Sequence, residues 1–172
     1  MNATAIASRR DGRGVVPRGA AASSASAGGG HAVARPGLPG VVLAAAVLAA
    51  DGVSLLLVGG AALWLRGEPV TVGDVDVVIE PGQENLRRLH AALAGVALRP
   101  GDVPPPHRLA GLPIVTIPTS YGRVDCLLER GRRDWARLRE AGGPVAVADV
   151  NVLVASAEDA WALRRRFKGS GR

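Results

Sequence analysis

Asp74 and Asp76 stand two residues apart within the otherwise apolar run from Val70 to Ile79. In an extended chain successive side chains leave opposite faces, so both carboxylates share one face while Val75 and Val77 point the other way. At a few Å such a pair repels by roughly 1–4 kcal/mol near a surface. A proton or a hard divalent cation with oxygen ligands would neutralise it. An isolated Asp-x-Asp is ordinarily a solvated edge, but the apolar flanks here argue for a buried strand. Asp125 likewise interrupts an apolar segment, between Val124 and the run Cys126, Leu127, Leu128, and a buried lone carboxylate needs a partner. Gly59 and Gly60 close a short apolar strand ahead of a helix, where bare backbone N–H groups could approach a triphosphate. The same pair equally suits a tight turn or close packing. Neither a GxxxxGK[ST] P-loop nor a GxGxxG fingerprint after this strand is present.

The elements that must position these residues follow from periodicity. Leu43, Val47 and Ala50 recur at helical spacing from Pro39 to a stop at Gly52. Val53 to Val58 reads as a buried strand and Ala61 to Arg66 as a short helix. Asp74 to Glu80 is a second strand, closed by Pro81 and Gly82. Leu86, Leu89, Leu93 and Ala97 mark the next helix, and residues 99 to 111, with four prolines, read as a loop. Ile114 to Ile117 and Arg123 to Leu128 form a hairpin around residues 119 to 122. Trp135 and Leu138 suggest a short helix, Val145 to Val154 a further strand, and Ser156 with Asp159 the capped start of a last helix. The expected order is α, β, α, β, α, β, β, α, β, α.

Composition narrows the class. The chain has 172 residues, 48% hydrophobic and 3% aromatic, which suits one ordinary domain. Its net charge of +6 is concentrated at the ends: residues 1 to 38 carry five arginines against one aspartate, and residues 164 to 172 carry four arginines and one lysine. The segment between them is acidic on balance, so net charge supports no nucleic-acid reading. Residues 1 to 38 have no hydrophobic period and are expected to be a disordered extension, with residues 39 to 172 forming the domain. That extension is composed like an organellar transit peptide, and a start codon assigned too far upstream explains it equally well. The single cysteine, Cys126, cannot form an internal disulfide, pointing to reducing cytoplasm. The longest apolar run, Val41 to Ala50, falls short of the ~20 residues of a membrane span. No membrane partner is expected.

Residues 58 to 93, VGGAALWLRGEPVTVGDVDVVIEPGQENLRRLHAAL, resemble the nucleotidyltransferase superfamily, whose signature is a glycine pair on a helix, an Asp-x-Asp strand and a third Asp on a later strand. The chain is similar in particular to small bacterial proteins related to abortive-infection toxin nucleotidyltransferases (AbiEii-like), which share the Glu-Asn-Leu helix and a later segment like residues 152 to 166. The resemblance spans about residues 39 to 166. It implies an α/β (α+β) nucleotidyltransferase fold, a mixed β-sheet with flanking helices. It also implies transfer of a nucleoside monophosphate from a nucleoside triphosphate to an acceptor hydroxyl on an RNA end such as transfer RNA, a protein or a small molecule, in a toxin-antitoxin type enzyme with an antitoxin partner.

Carried over, Gly59, Gly60, Thr71 and Arg164 would contact the nucleotide, and Asp74, Asp76 and Asp125 would be catalytic and hold two Mg²⁺ ions. Asp125 would also help deprotonate the acceptor. The chain departs from the pattern in three places: Thr71 lies three residues before Asp74 rather than two, Arg164 stands where relatives have Lys, and the C-terminal helices of relatives have no counterpart after RRRFKGSGR. The alternative is a catalytically inactive binding protein of the same fold, or a truncated remnant. Trp64, Trp135 and Trp161 are expected in core or rim packing, Cys126 as a small buried hydrophobe, His90 as a packing residue, and the Arg run from 164 as a solvated helix end.

Overall fold

The computed structural model describes residues 37 to 169, with side chains through Arg165. The expected disorder of residues 1 to 38 therefore falls almost wholly outside the described residues. Leu38 itself packs against the core.

Six strands form one mixed sheet in the order β3-β4-β2-β1-β6-β5. At its centre lie β1 (Leu55–Val58) and β2 (Val75–Ile79), joined antiparallel by α2 (Gly59–Leu65) and an extended link. The side chains of Leu55, Leu56, Leu57 and Val58 are all buried, as an uninterrupted apolar run demands of a strand covered on both faces. On one flank β2 pairs parallel with β4 (Gly122–Leu127), which pairs antiparallel with edge strand β3 (Ile114–Thr119). On the other, β1 pairs parallel with β6 (Val150–Val154), backed by edge strand β5 (Gly143–Val147).

Helix α1 (Gly40–Ala50) packs against the sheet and ends at Gly52, whose φ of +79° and N–H bond to the Ala49 carbonyl make the expected stop. Helix α3 (Gln83–Val96) buries Leu86, Leu89 and Leu93. Its Asn85, only 7% exposed, is a clamp: Oδ1 accepts the Ser54 N–H at 2.8 Å, while Nδ2 donates to the carbonyls of Ser54 at 3.0 Å and Glu80 at 2.9 Å. The start of β1 and the end of β2 are thereby tied to one helix.

Three expectations are corrected. The loop of residues 99 to 111 contains a 3₁₀ turn at Pro100–Asp102 and a one-turn helix, α4 (Pro106–Leu109), each begun by a proline whose fixed φ suits a first helical position. Val145 to Val154 is not one strand but the β5–β6 hairpin, reversed at Ala148 and Asp149 with Ala148 at φ +50°. The short helix at Trp135 is α5 (Leu128–Ala141), fourteen residues long. It buries only Leu128, Gly131 and Leu138, so its apolar period is thin, and Glu129–Arg133 and Arg130–Asp134 pairs support the exposed faces. Gly131 is obligatory there, because a Cβ would overlap the Ile79 carbonyl of β2.

Helix α6 (Ala157–Gly169) starts as expected, with Ser156 Oγ accepting the Asp159 N–H at 3.2 Å. Trp64, Trp135 and Trp161 pack partly buried against the core, in keeping with their expected role. Among the described residues no helix is long and apolar enough to cross a membrane.

Asn85→Ala would leave the Ser54 N–H and the Glu80 carbonyl without this partner, while the Ser54 carbonyl keeps the Glu80 N–H at 3.1 Å. The expected loss is about 2–3 kcal/mol of unfolding free energy, read as a lower urea midpoint with an unchanged slope; a loss below about 0.5 kcal/mol would reject the clamp.

Candidate functional site

Strand register brings the acidic residues together. Asp76 of β2 is the direct partner of Val58 on one side and of Asp125 on the other, and Asp125 in turn is opposite Thr116 of β3. The row Val58, Asp76, Asp125, Thr116 thus crosses four strands. Neighbouring strands lie about 4.8 Å apart, so the Asp76 and Asp125 carboxylates are held as close neighbours. Alternation does the rest: Val75, Val77, Val124, Cys126, Val115 and Ile117 are buried, while Asp74, Asp76, Thr116, Arg123, Asp125 and Leu127 line one cavity of about 480 Å³. Asp74 itself lies in the bend just before β2 rather than within the strand.

The opposite wall of that cavity comes from α2, the link after it, and α6. Gly60, Thr71, Gly73 and Arg164 line it. Gly59 does not; it sits under Asp76. With φ at +63° and no room for a Cβ beside the Asp76 carboxylate, only glycine fits at the β1–α2 junction. Gly60 lets the Arg164 guanidinium lie against its backbone. Arg66, at the end of α2, donates to the carbonyls of Ala155 at 3.1 Å and Val154 at 2.9 Å, and α2 packs on α6. These contacts deliver Arg164 to the cavity. Of the residues singled out in the sequence, Gly60, Thr71, Asp74, Asp76, Asp125 and Arg164 share the cavity, and Gly59 shapes it from beneath. The Arg164 side chain is half-buried at the site rather than a solvated helix end.

Arg123 is the residue that sequence reasoning missed. Its guanidinium pairs with Asp74 through Nη2, and its Nε stands 3.5 Å from Asp125 Oδ2. The signal was available: Arg123 is two residues before Asp125 on the same strand, hence on the same face. The Asp125 and Asp74 carboxylates hold the Arg123 pKa above its ordinary value. Among the described residues, no three His, Cys, Asp or Glu side chains converge as a ready metal centre; the guanidinium bridges two of the carboxylates instead.

The site nonetheless fits a cation. Its donors are carboxylate oxygens, the set preferred by Mg²⁺. Asp125 Oδ1 is buried without a hydrogen-bond partner among the described residues, a state that costs free energy until a proton or cation meets it. Burial, then repulsion by Asp74 and Asp125, pushes the Asp76 carboxyl from 3.8 to about 7, against the pull of Arg123 and Arg164. Cys126, on the other face, is buried with its thiol pushed up to about 12 by burial and by Asp125, so it acts as an inert hydrophobe.

No family model matches the chain, and no curated protein does. Among solved structures it is similar to the crystal structure of a candidate nucleotidyltransferase from Thermotoga maritima, with 14% identity, coverage of 74% of this chain and 82% of that one, and a TM-score of 0.49. At that level the chemistry must be argued from the site's own residues.

The raised Asp76 carboxyl has a consequence for stability. Unfolded, it ionises near its ordinary value; folded, near pH 7. The native state is therefore favoured at low pH and loses that advantage as pH rises from about 4 to 7, by at most about 4 kcal/mol at 1.36 kcal/mol per unit. Without added metal, Asp76→Asn is expected to stabilise the protein by about 1–2 kcal/mol at pH 8 and by less at pH 5. Paired thermal melts check this, and an equal or smaller gain at pH 8 would contradict it.

Proposed function

We propose that this protein is a Mg²⁺-dependent nucleotidyltransferase that moves a nucleoside monophosphate from a nucleoside triphosphate to an acceptor hydroxyl. The observation that carries the reading is the register pairing of Asp76 with Asp125, opening with Asp74 on a cavity also lined by the Gly60 and Gly73 backbone, Thr71 and Arg164. Fixed carboxylates facing a cationic wall with exposed glycine backbone suit a metal-bound polyphosphate better than a neutral ligand.

In this reading Asp74, Asp76 and Asp125 would hold two Mg²⁺ ions, which when bound would supply charge neutralisation for an in-line displacement. The rest is done by the chain. The Gly60 backbone and Arg164 seat the phosphates, with Thr71 beside them, and Gly59 keeps Asp76 against the turn. Asp125, whose Oδ1 has no partner among the described residues, accepts the proton of the acceptor hydroxyl as its oxygen bonds the α-phosphorus and pyrophosphate departs. Holding both reactants in line converts a bimolecular step into an effectively unimolecular one. The acceptor is a hydroxyl on an RNA end, a protein or a small molecule, and the toxin resemblance adds an antitoxin as the partner to seek.

A second reading, a binding protein of the same fold without turnover, draws on the ion pairs that Arg123 makes with Asp74 and Asp125. Release of pyrophosphate separates the two. Each ribonucleoside triphosphate is offered with Mg²⁺ and candidate acceptors. The transferase reading expects turnover that falls at least about 10³-fold in Asp125→Asn and in Asp76→Asn, with Arg164→Ala weakening nucleotide binding by about tenfold. Metal-dependent nucleotide binding with no transfer to any acceptor would favour the binding protein. Absence of nucleotide binding would end both.

A further inference from the structure

We propose that Arg123 is a built-in counter-cation, which occupies Asp74 and Asp125 in the metal-free protein, competes with a divalent ion for them, and passes to a nucleotide phosphate when displaced. The inference rests on the metal and nucleotide reading of the cavity.

Three observations support it. The Arg123 side chain reaches both carboxylates at once, yet is 54% exposed, while Asp125 is 17% exposed. The guanidinium thus comes from the solvent side and covers Asp125, which lies deeper, while Asp74 beside it is 37% exposed. Among the described residues, the Arg123 side chain makes no hydrogen bond or ion pair beyond those two aspartates. Leaving them therefore breaks no other packing bond. Arg123 also lines the cavity shared by Gly60 and Arg164, so a freed guanidinium would remain beside the proposed phosphate seat, where its forked donors suit phosphate oxygens.

The consequence is coupled binding. A divalent ion alone must break two ion pairs and leave Arg123 unpaired. An ion arriving with a triphosphate gives the guanidinium a new partner. Metal and nucleotide should therefore bind more tightly together than separately, and removing Arg123 should strengthen metal binding while weakening the coupling.

The test is calorimetric titration of Mn²⁺ into the full chain, alone and with each of the four ribonucleoside triphosphates. Arg123→Ala is expected to bind Mn²⁺ alone about three- to tenfold more tightly than wild type, the range that two solvent-screened pairs can supply. Nucleotide should improve the Mn²⁺ affinity of wild type more than that of the variant. Arg123→Gln provides the same comparison with a polar, uncharged side chain, and its melting temperature should rise more on Mn²⁺ addition than that of wild type. Equal Mn²⁺ affinities, with wild type still binding metal and nucleotide, would overturn the role of Arg123 and leave the site reading intact. No metal or nucleotide binding by any of the proteins would overturn both. Loss of fold in both variants would make Arg123 a structural strut and overturn the assignment.

Discussion

Two carboxylates on directly paired residues of parallel strands repel each other, and much of this molecule is arranged around that repulsion. Asp76 and Asp125 cannot separate without breaking the β2–β4 register. Folding tolerates them by three means: burial and its acidic neighbours raise the Asp76 pKa, Arg123 straddles Asp74 and Asp125, and Arg164 lines the same cavity. None of the three fully settles the charge, since one oxygen of Asp125 remains buried without a partner among the described residues. Sites left electrostatically incomplete in this way are where ligands are expected to contribute what the chain does not.

The sheet is the instrument that imposes the arrangement. Its two central strands are apolar on nearly every residue, so register is held by burial rather than by the polar residues it presents. A slip of one position would turn the aspartates into the core and expose the valines. Asn85 pins the far ends of β1 and β2, Gly131 seats α5 closely against Ile79, and Arg66 links α2 to the end of β6. The side chains at the cavity are accordingly supported from three directions by contacts far from it.

How much of this could be read from the sequence depends on range. Periods of two and 3.6, and punctuation by glycine and proline, located the core strands, α3 and the β3–β4 hairpin, because those signals are local; α1 lies where expected, but the stripe Leu43, Val47 and Ala50 is its less buried side, and Val42, Ala45 and Leu48 face the core. The acidic face of β2 was legible for the same reason. The β5–β6 reversal was hidden because Ala148 adopts a left-handed backbone conformation without the usual glycine, and α5 because three buried residues leave little apolar rhythm. The pairing of Asp76 with Asp125 joins residues 49 positions apart, and only the resemblance, not spacing, suggested it. Arg123 escaped notice since a lone arginine on a strand ordinarily signifies a solvated side chain; its meaning arises from acids contributed by another strand.

The reluctant ionisation of Asp76 reaches beyond chemistry. Anything that binds only the native protein adds to its stability in proportion to how fully it is bound, and the crowded carboxylates leave that stability to be gained. A ligand that neutralised these carboxylates would therefore slow the opening of the fold as well as occupy the cleft.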